Sequence, residues 1–364
     1  MKDDAQVLDH ATRAAISAAW GLSPHAEFEI LGTGLINRTL RVRDDARERV
    51  LQRLNTEVFR TPETVMRNCH AVTAHLGRER AAGRYDYAVL ELVPTLAGTP
   101  ALTLADGSWW RMLDYVPDTR THDVASNPGM AFEAARGFGA FVRALGTLPT
   151  ASVGEVIPGF HDPAKRYENF RRAVTEDRAG RAASCGAECA QATAFVEVVG
   201  AWRSLIATGL PLRIVHNDCK LNNILFDAAD RAVCVIDLDT VMPGSPLFDF
   251  GDLVRTLVSP EAEDSTRLDN VCVRRDMFAA VVRGYLEGSG SLLSAVERAS
   301  LVFGARLVTG VLALRFLADY LDGDVYFRID RPQHNLERAR NQLALLTALE
   351  GADEELQALV HLKP

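Results

Sequence analysis

Four side chains within one short stretch carry the chemistry this sequence can do: Asp218, Lys220, Asn223 and Asp237. Val215-His216-Asn217-Asp218 opens a polar loop that runs through Cys219, Lys220 and Asn223 into Ile224-Leu225-Phe226, and Val233-Cys234-Val235-Ile236-Asp237-Leu238 follows. The apolar runs read as the two strands of a hairpin, with Asp227–Arg231 as its turn-rich tip. A tip near Ala229 and Asp230 sets Asn223 opposite Ile236 and beside Asp237. An amide oxygen and a carboxylate then converge, with Asp218 five residues upstream of Asn223. Phosphoryl transfer calls for such parts: a carboxylate to orient and deprotonate an attacking hydroxyl, and two oxygen ligands for Mg2+. Lys220 stands where it can touch the transferred group. A bare D-x-x-x-x-N is a common solvated loop. His216 two before the Asp, the hairpin-length gap and the closing I-D make the combination specific.

That combination, H-x-D-x-x-x-x-N and then an apolar strand ending in I-D, resembles the catalytic core of the kinase-like superfamily. The rest of the chain supplies elements to position it. Residues 5–22 read as a helix with an alanine-rich apolar side, and Phe28-Glu29-Ile30-Leu31 as a strand running into Gly32-Thr33-Gly34. Two glycines let a backbone approach a ligand closely, and strands at Leu40–Val42 and Val50–Leu51 follow. Gln52 stands where a kinase strand carries its phosphate-binding Lys, with Arg53 beside it. Either Arg53 substitutes for the missing charge, or Lys220 and the metal carry it. Thr61-Pro62 opens a helix, Thr as N-cap and Pro at its first position, with Val65, Cys69, Val72 and Leu76 as its apolar stripe. Glu63 is the only acid near its start and is a poor Lys partner. Strands at 88–93 and 108–116 complete a small sheet, and Pro117-Asp118-Thr119 reads as a hinge. An adenine would bond the backbone around Asp114–Val116. Beyond it the chain reads as mostly helical: a helix starting at Asn127-Pro128 and ending at Gly146, then roughly 163–178, 187–208, 247–258, 273–288, 292–321 and 334–350. The fold class is α+β in two lobes, 1–116 covering the nucleotide and 117–364 carrying catalysis and substrate. Asp249, at the start of a helix, is placed to cap amides or brace the catalytic loop.

Composition narrows the field. At 364 residues, 48% hydrophobic and 24% charged, the chain is long enough for two sizeable cores. A net charge of −8 argues against a nucleic-acid partner, which demands a basic face. Met1-Lys2-Asp3-Asp4 lacks the apolar core of a signal peptide. The apolar stretch Leu301–Leu321 is interrupted by Arg306 and Arg315, as in buried helices and unlike a membrane span. Six scattered cysteines form no zinc-type pairs. These features predict a cytoplasmic protein.

Over nearly its whole length the sequence resembles the aminoglycoside phosphotransferase and choline kinase group, through H-N-D-C-K-L-N-N, C-V-I-D-L-D-T and the G-x-x-x-x-D of Gly244 and Asp249. Within the group it is most similar to bacterial N-acetylhexosamine 1-kinases. The segments that carry this are L-G-T-G-L-I-N-R-T (31–39), V-L-Q-R-L-N (50–55), V-M-R-N (65–68), the catalytic stretch 214–227, I-D-L-D-T-V-M-P-G-S (236–245), R-F-L-A-D-Y-L-D-G-D-V-Y-F (315–327) and H-N-L-E-R-A-R (334–340). The resemblance implies a two-lobe kinase fold. It also implies ATP- and Mg2+-dependent phosphorylation of the anomeric hydroxyl of N-acetylglucosamine or N-acetylgalactosamine, with Gln52 the usual residue at its place. It makes Asp218 the base, Asn223 and Asp237 the metal ligands, and Asn37 part of the phosphate-covering turn. Arg315 and Tyr326 then recognise the sugar, with Asp319 and Asp324 behind them. From the residues alone, Arg315 serves equally as a helix-surface partner of Asp319 at i,i+4, and Tyr326 as a core aromatic. Arg315, Tyr326 and Phe327 mixed among acids suit a neutral sugar better than a polycation. The competing readings are a kinase for another alcohol and a silent pseudokinase.

Overall fold

The computed structural model describes residues 7–31 and 36–361, so the Gly32–Gly34 turn lies outside the described residues. Helix α1 (His10–Trp20) is capped by Asp9, whose carboxylate accepts from the Thr12 amide. It lies over the antiparallel sheet β1 (Glu27–Ile30), β2 (Arg38–Asp44), β3 (Arg47–Leu54), β4 (Leu92–Val93), β5 (Leu102–Thr103) and β6 (Trp109–Asp114). The order is β1-β2-β3-β6-β4, with β5 also on β6. Strand alternation gives the sheet two unlike faces. Leu40, Val42, Leu51, Trp110 and Met112 pack with Ile16 and Trp20 of α1. Gln52 and Arg111, directly opposite one another in the β3/β6 register, occupy the other face. Only Leu92–Val93 of the run 88–93 is strand, since Ala88 turns away to donate its amide to the Val233 carbonyl.

Helix α2 (Pro62–Ala81) starts at Pro62, but Thr61 makes no side-chain cap. Its stripe of Cys69, Val72 and Leu76 is buried in the same core as α3 (Pro128–Leu145), so by packing it belongs with the helical part of the molecule. Asn127 caps α3 through the Met130 amide as expected. Then come α4 (Pro163–Glu176), α5 (Gly186–Thr193) and α6 (Val196–Ala207). One helix is expected over 187–208. The chain breaks it, and Phe195 at the break packs against Gly310. Short strands β7 (Arg213–Val215), β8 (Ile224–Phe226), β9 (Ala232–Val235) and β10 (Met242–Gly244) build the catalytic region, β7 pairing with β10 and β8 with β9.

The remainder is α7 (Pro246–Leu257), α8 (Arg275–Ser289), α9 (Ala295–Ala299), α10 (Leu301–Asp322), α11 (His334–Gly351) and α12 (Asp353–His361). The last is absent from the sequence reading. The run 292–321 splits at Ser300: the Ser294/Glu297 capping box starts a separate short helix, α9, that ends there. A Cβ on Gly251 of α7 would run into the Gly304 carbonyl of α10, so these helices meet backbone to backbone. Helix α10 is long and apolar enough to cross a membrane by composition, yet most of it is buried inside the fold. The result is a two-lobe, kinase-like α+β arrangement: an antiparallel sheet early in the chain and a mainly helical part after it.

Candidate active site

The β7–β10 pair delivers the loop that begins at His216. The His216 ring packs edge-on against Phe138 and Phe141, with centroids 5.1 and 5.6 Å away. Its Nε2 lies 3.0 Å from the Ile236 carbonyl. A carbonyl can only accept, so Nε2 carries the hydrogen, and Nδ1 is left to accept from the Asp218 amide at 3.3 Å. Asn217 sits in the left-handed region at φ 66°, fixed by its side-chain amide on the Thr240 carbonyl at 3.0 Å. The buried Asp249 carboxylate accepts from the backbone amides of both His216 (3.0 Å) and Asn217 (2.7 Å). Of its two expected roles, Asp249 takes that of loop brace. Burial raises its pKa, against the pull of His216 and the two amides.

Asp218 Oδ2 accepts from Lys220 Nζ and from Asn223 Nδ2, each at 3.0 Å. Burial works to raise its pKa, but Lys220, His216 and those hydrogen bonds outweigh it and hold the carboxyl below its ordinary value. Burial likewise opposes the Lys220 charge, and Asp218 and Asp237 override it, so the ammonium persists. Asn223 spends its NH2 on the Asp218 carbonyl (2.8 Å) and carboxylate, leaving Oδ1 without a donor among the described residues. The hairpin register follows the sequence reading: the Ile236 amide donates to the Asn223 carbonyl at 2.9 Å. The second strand, however, stops at Val235, because Asp237 turns to φ 60°. The Asp237 carboxylate has no hydrogen bond among the described residues. Burial, then Asp239 and Asp218, push its pKa up to about 7. A bare amide oxygen beside a carboxylate crowded by other acids fits a hard divalent cation.

Above this lies a cluster in which the sequence reading names Gln52 and Asn37 but misses Arg111 and Asp239. Arg111, 2% exposed, contacts Asp239 Oδ1 through Nη1 at 2.5 Å and gives Nε and Nη2 to Gln52 Oε1 at 2.9 and 2.7 Å. Gln52 Nε2 in turn donates to the Thr39 hydroxyl. Asn37 Nδ2 donates to Asp239 Oδ2 at 2.6 Å, while its Oδ1 accepts the Asn55 amide. Asn37 thus ties the start of β2 to Asp239. Arg53 is not part of this cluster. Alternation turns it to the α1 face of β3, where it is exposed. The buried cation beside Gln52 comes from β6. Asp114, at the end of β6, pairs with Arg49 at 3.3 Å and donates its amide to the Glu91 carbonyl. The Val116 carbonyl accepts from Thr119 Oγ1, and its amide has no acceptor among the described residues.

On the opposite side, Arg315 lies over three rings, Phe160 (4.7 Å), Phe327 (5.2 Å) and Tyr326 (5.5 Å). Its Nη2 is 3.4 Å from the Tyr326 hydroxyl. The i,i+4 ion pair with Asp319 does not form. Asp319 is 5% exposed and takes the amides of Val325, Tyr326 and Phe327 at 2.8–3.0 Å, together with Asn335 Nδ2. Asp319 therefore folds the loop that carries Tyr326, and Asp324 is held by Arg181 and Asn335. Tyr326 is not a core aromatic, being 48% exposed. His161 also escaped the sequence reading. Its Nε2 donates to the Asn217 carbonyl at 2.8 Å, and burial pushes its pKa down to about 3.

The geometry can therefore hold a carboxylate base and oxygen ligands for a cation, with a buried arginine held between Gln52 and Asp239. Three solved structures share the fold. A microcompartment-associated aminopropanol kinase matches with TM-score 0.67 at 18% identity, over 95% of this chain and 98% of that one. An amicoumacin kinase in complex with AMP-PNP, Ca2+ and Ami gives 0.62 at 12%, over 93% and 94%. A choline/ethanolamine kinase family protein from Mesorhizobium loti gives 0.52 at 18%, over 96% and 98%. At such identities the likeness is one of fold. The profile of the phosphotransferase enzyme family, APH, matches residues 27–289. Because that match runs from the first strand of the sheet to the end of α8 and takes in the whole catalytic loop, the chain belongs to the phosphotransferase enzyme family.

Proposed function

We propose that this small-molecule phosphotransferase moves the γ-phosphoryl group of ATP to the anomeric hydroxyl of N-acetylglucosamine or N-acetylgalactosamine. Asp218, ionised and aimed by the braced loop, takes the proton of that hydroxyl, which is more acidic than an ordinary alcohol and so needs only one carboxylate. Asn223 Oδ1 and Asp237 hold Mg2+, which when bound neutralises charge on the phosphate oxygens. Lys220 pairs with Asp218 in the absence of ligand and exchanges part of that pairing for the transferred group. Arg111, oriented by Gln52 and Asp239, supplies the positive field on the nucleotide side that a strand Lys would otherwise give. Adenine bonds the backbone near Asp114 and Val116, and Arg315 and Tyr326 receive the sugar.

The observation that carries the choice of acceptor is Arg315. Its guanidinium lies over three aromatic rings with no acid partner among the described residues. Flat apolar faces with a fixed donor suit a neutral sugar. An ammonium-bearing acceptor would want carboxylates there. The test is turnover across N-acetylhexosamines, free hexosamines, aminoglycosides, choline, ethanolamine and aminopropanol, with the phosphorylated position read by phosphorus NMR. The expected product is the sugar 1-phosphate, and Asp218→Asn should lose on the order of a thousandfold in kcat while still binding nucleotide. A 6-phosphate product, or a preference for an amino alcohol, would end the hexosamine reading and leave the kinase standing.

A further inference from the structure

Two guanidinium groups share the acceptor side. Arg315 stacks on the ring of Phe160, and Arg166, in the first turn of α4, donates from Nε to the carbonyl of that same residue at 2.9 Å. The next residue, His161, holds the Asn217 carbonyl beside Asp218, so one short turn fixes both arginines relative to the base. Neither makes an ion pair among the described residues. Asp162, the acid that acts on Arg166, spends its Oδ1 on the Ala164 amide. Burial first, and then the Arg315 charge, push the Arg166 guanidinium down to about 10, against the weaker pull of Tyr326 and Asp162. Such an arrangement is costly unless a ligand's oxygen sits against it, which is why perturbed charges cluster at binding sites. We propose that Arg166 and Arg315 form a clamp for a carbonyl or carboxylate oxygen of the acceptor, and that the clamp turns away ammonium-bearing alcohols. This inference rests on the acceptor region assigned under the proposed function, but not on the acceptor being an N-acetylhexosamine. For that substrate the clamped atom is the acyl oxygen that distinguishes it from the parent amino sugar.

The test is steady-state kinetics of the full chain, wild type against Arg166→Gln and Arg166→Lys, with N-acetylglucosamine, glucosamine, glucuronate and ethanolamine as acceptors. Arg166→Gln should raise KM for N-acetylglucosamine roughly tenfold, the loss of one charge-assisted hydrogen bond, and leave KM for ATP unchanged. Its preference for N-acetylglucosamine over glucosamine should shrink by at least the same factor, and Arg166→Lys should recover part of it. If the wild type instead turns over glucuronate and not the N-acetyl sugar, with the same Arg166 effect, the hexosamine reading falls and the clamp stands. A wild type that prefers ethanolamine, or a folded Arg166→Gln variant with unchanged acceptor KM, overturns the clamp. Should no acceptor be turned over, sulfate decides. It should raise the wild-type thermal midpoint more than the Arg166→Gln and Arg315→Gln midpoints at equal ionic strength, and equal shifts in all three overturn the proposal.

Discussion

Replacing Arg111 by Met tests how the nucleotide side is built. Met keeps the length of the side chain and removes its charge. Asp239, 1% exposed, would keep only the Asn37 amide, and Gln52 Oε1 would lose both of its donors. Removing one partner of a buried ion pair strands the other charge, at a cost of about 3–5 kcal/mol. Urea unfolding of Arg111→Met should show a loss of that size. Adding Asp239→Asn removes the stranded charge while keeping an acceptor for Asn37, so the double variant should recover half or more of the loss. KM for ATP should rise in the single variant and stay raised in the double, because the positive field is absent in both. A single variant within about 1 kcal/mol of wild type would refute the reasoning, since even one orphaned buried hydrogen bond costs that much. A double variant with restored ATP affinity would show that Arg111 serves only to hold Asp239.

Because Gln52 orients Arg111 and Arg53 lies on the other face of β3, Gln52→Ala should raise KM for ATP roughly tenfold, while Arg53→Ala stays within about twofold; the reverse order would restore Arg53 to the phosphate side. Asp249→Asn keeps one acceptor for two buried amides, so it should cost about 2–3 kcal/mol of stability and lower kcat at least tenfold with both KM values unmoved, as read by urea unfolding and steady-state rates. His161 binds a proton at about 3 in the fold against 6.5 in the free side chain. Below pH 6.5 the unfolded chain therefore takes up a proton that the folded one refuses, and stability should fall from pH 6.5 towards 3 by at most about 4–5 kcal/mol from this group. His161→Phe should flatten that part of the profile, and an unchanged slope would exclude the buried neutral imidazole.

What the sequence exposed and what it hid divides by how local each arrangement is. The catalytic hairpin is set by spacing alone, so the pairing of Asn223 with Ile236 follows from the sequence without any tertiary contact, and so do the cap at Asn127 and the helix start at Pro62. Arg111 could not be placed in this way. It interrupts the apolar run W-W-R-M-L of β6, and its purpose depends on β6 lying next to β3, a pairing that skips β4 and β5. A charge in the middle of such a run was the one available signal. Arg315 and Asp319 satisfy the local i,i+4 rule, yet three backbone amides of the following loop outbid the arginine for that carboxylate. His161 and Arg166 gave no signal at all, because their partners are a carbonyl 56 residues away and a turn of no distinctive composition.

The burial of α2 against α3, together with the Arg111–Asp239 pair, bears on how this protein can be recombined. Kinase-like enzymes invite cutting at the hinge, so that one enzyme's nucleotide half is spliced to another's acceptor half. A chimera joined there would set Cys69, Val72 and Leu76 against a foreign helix and leave Asp239 facing whatever residue the donor carries in place of Arg111. A workable splice has to carry α2 with the helical half, or transplant Arg111, Gln52 and Asn37 together with Asp239. The unit of exchange is the cluster that joins the sheet to the catalytic loop region, and the parts on either side of it are not interchangeable.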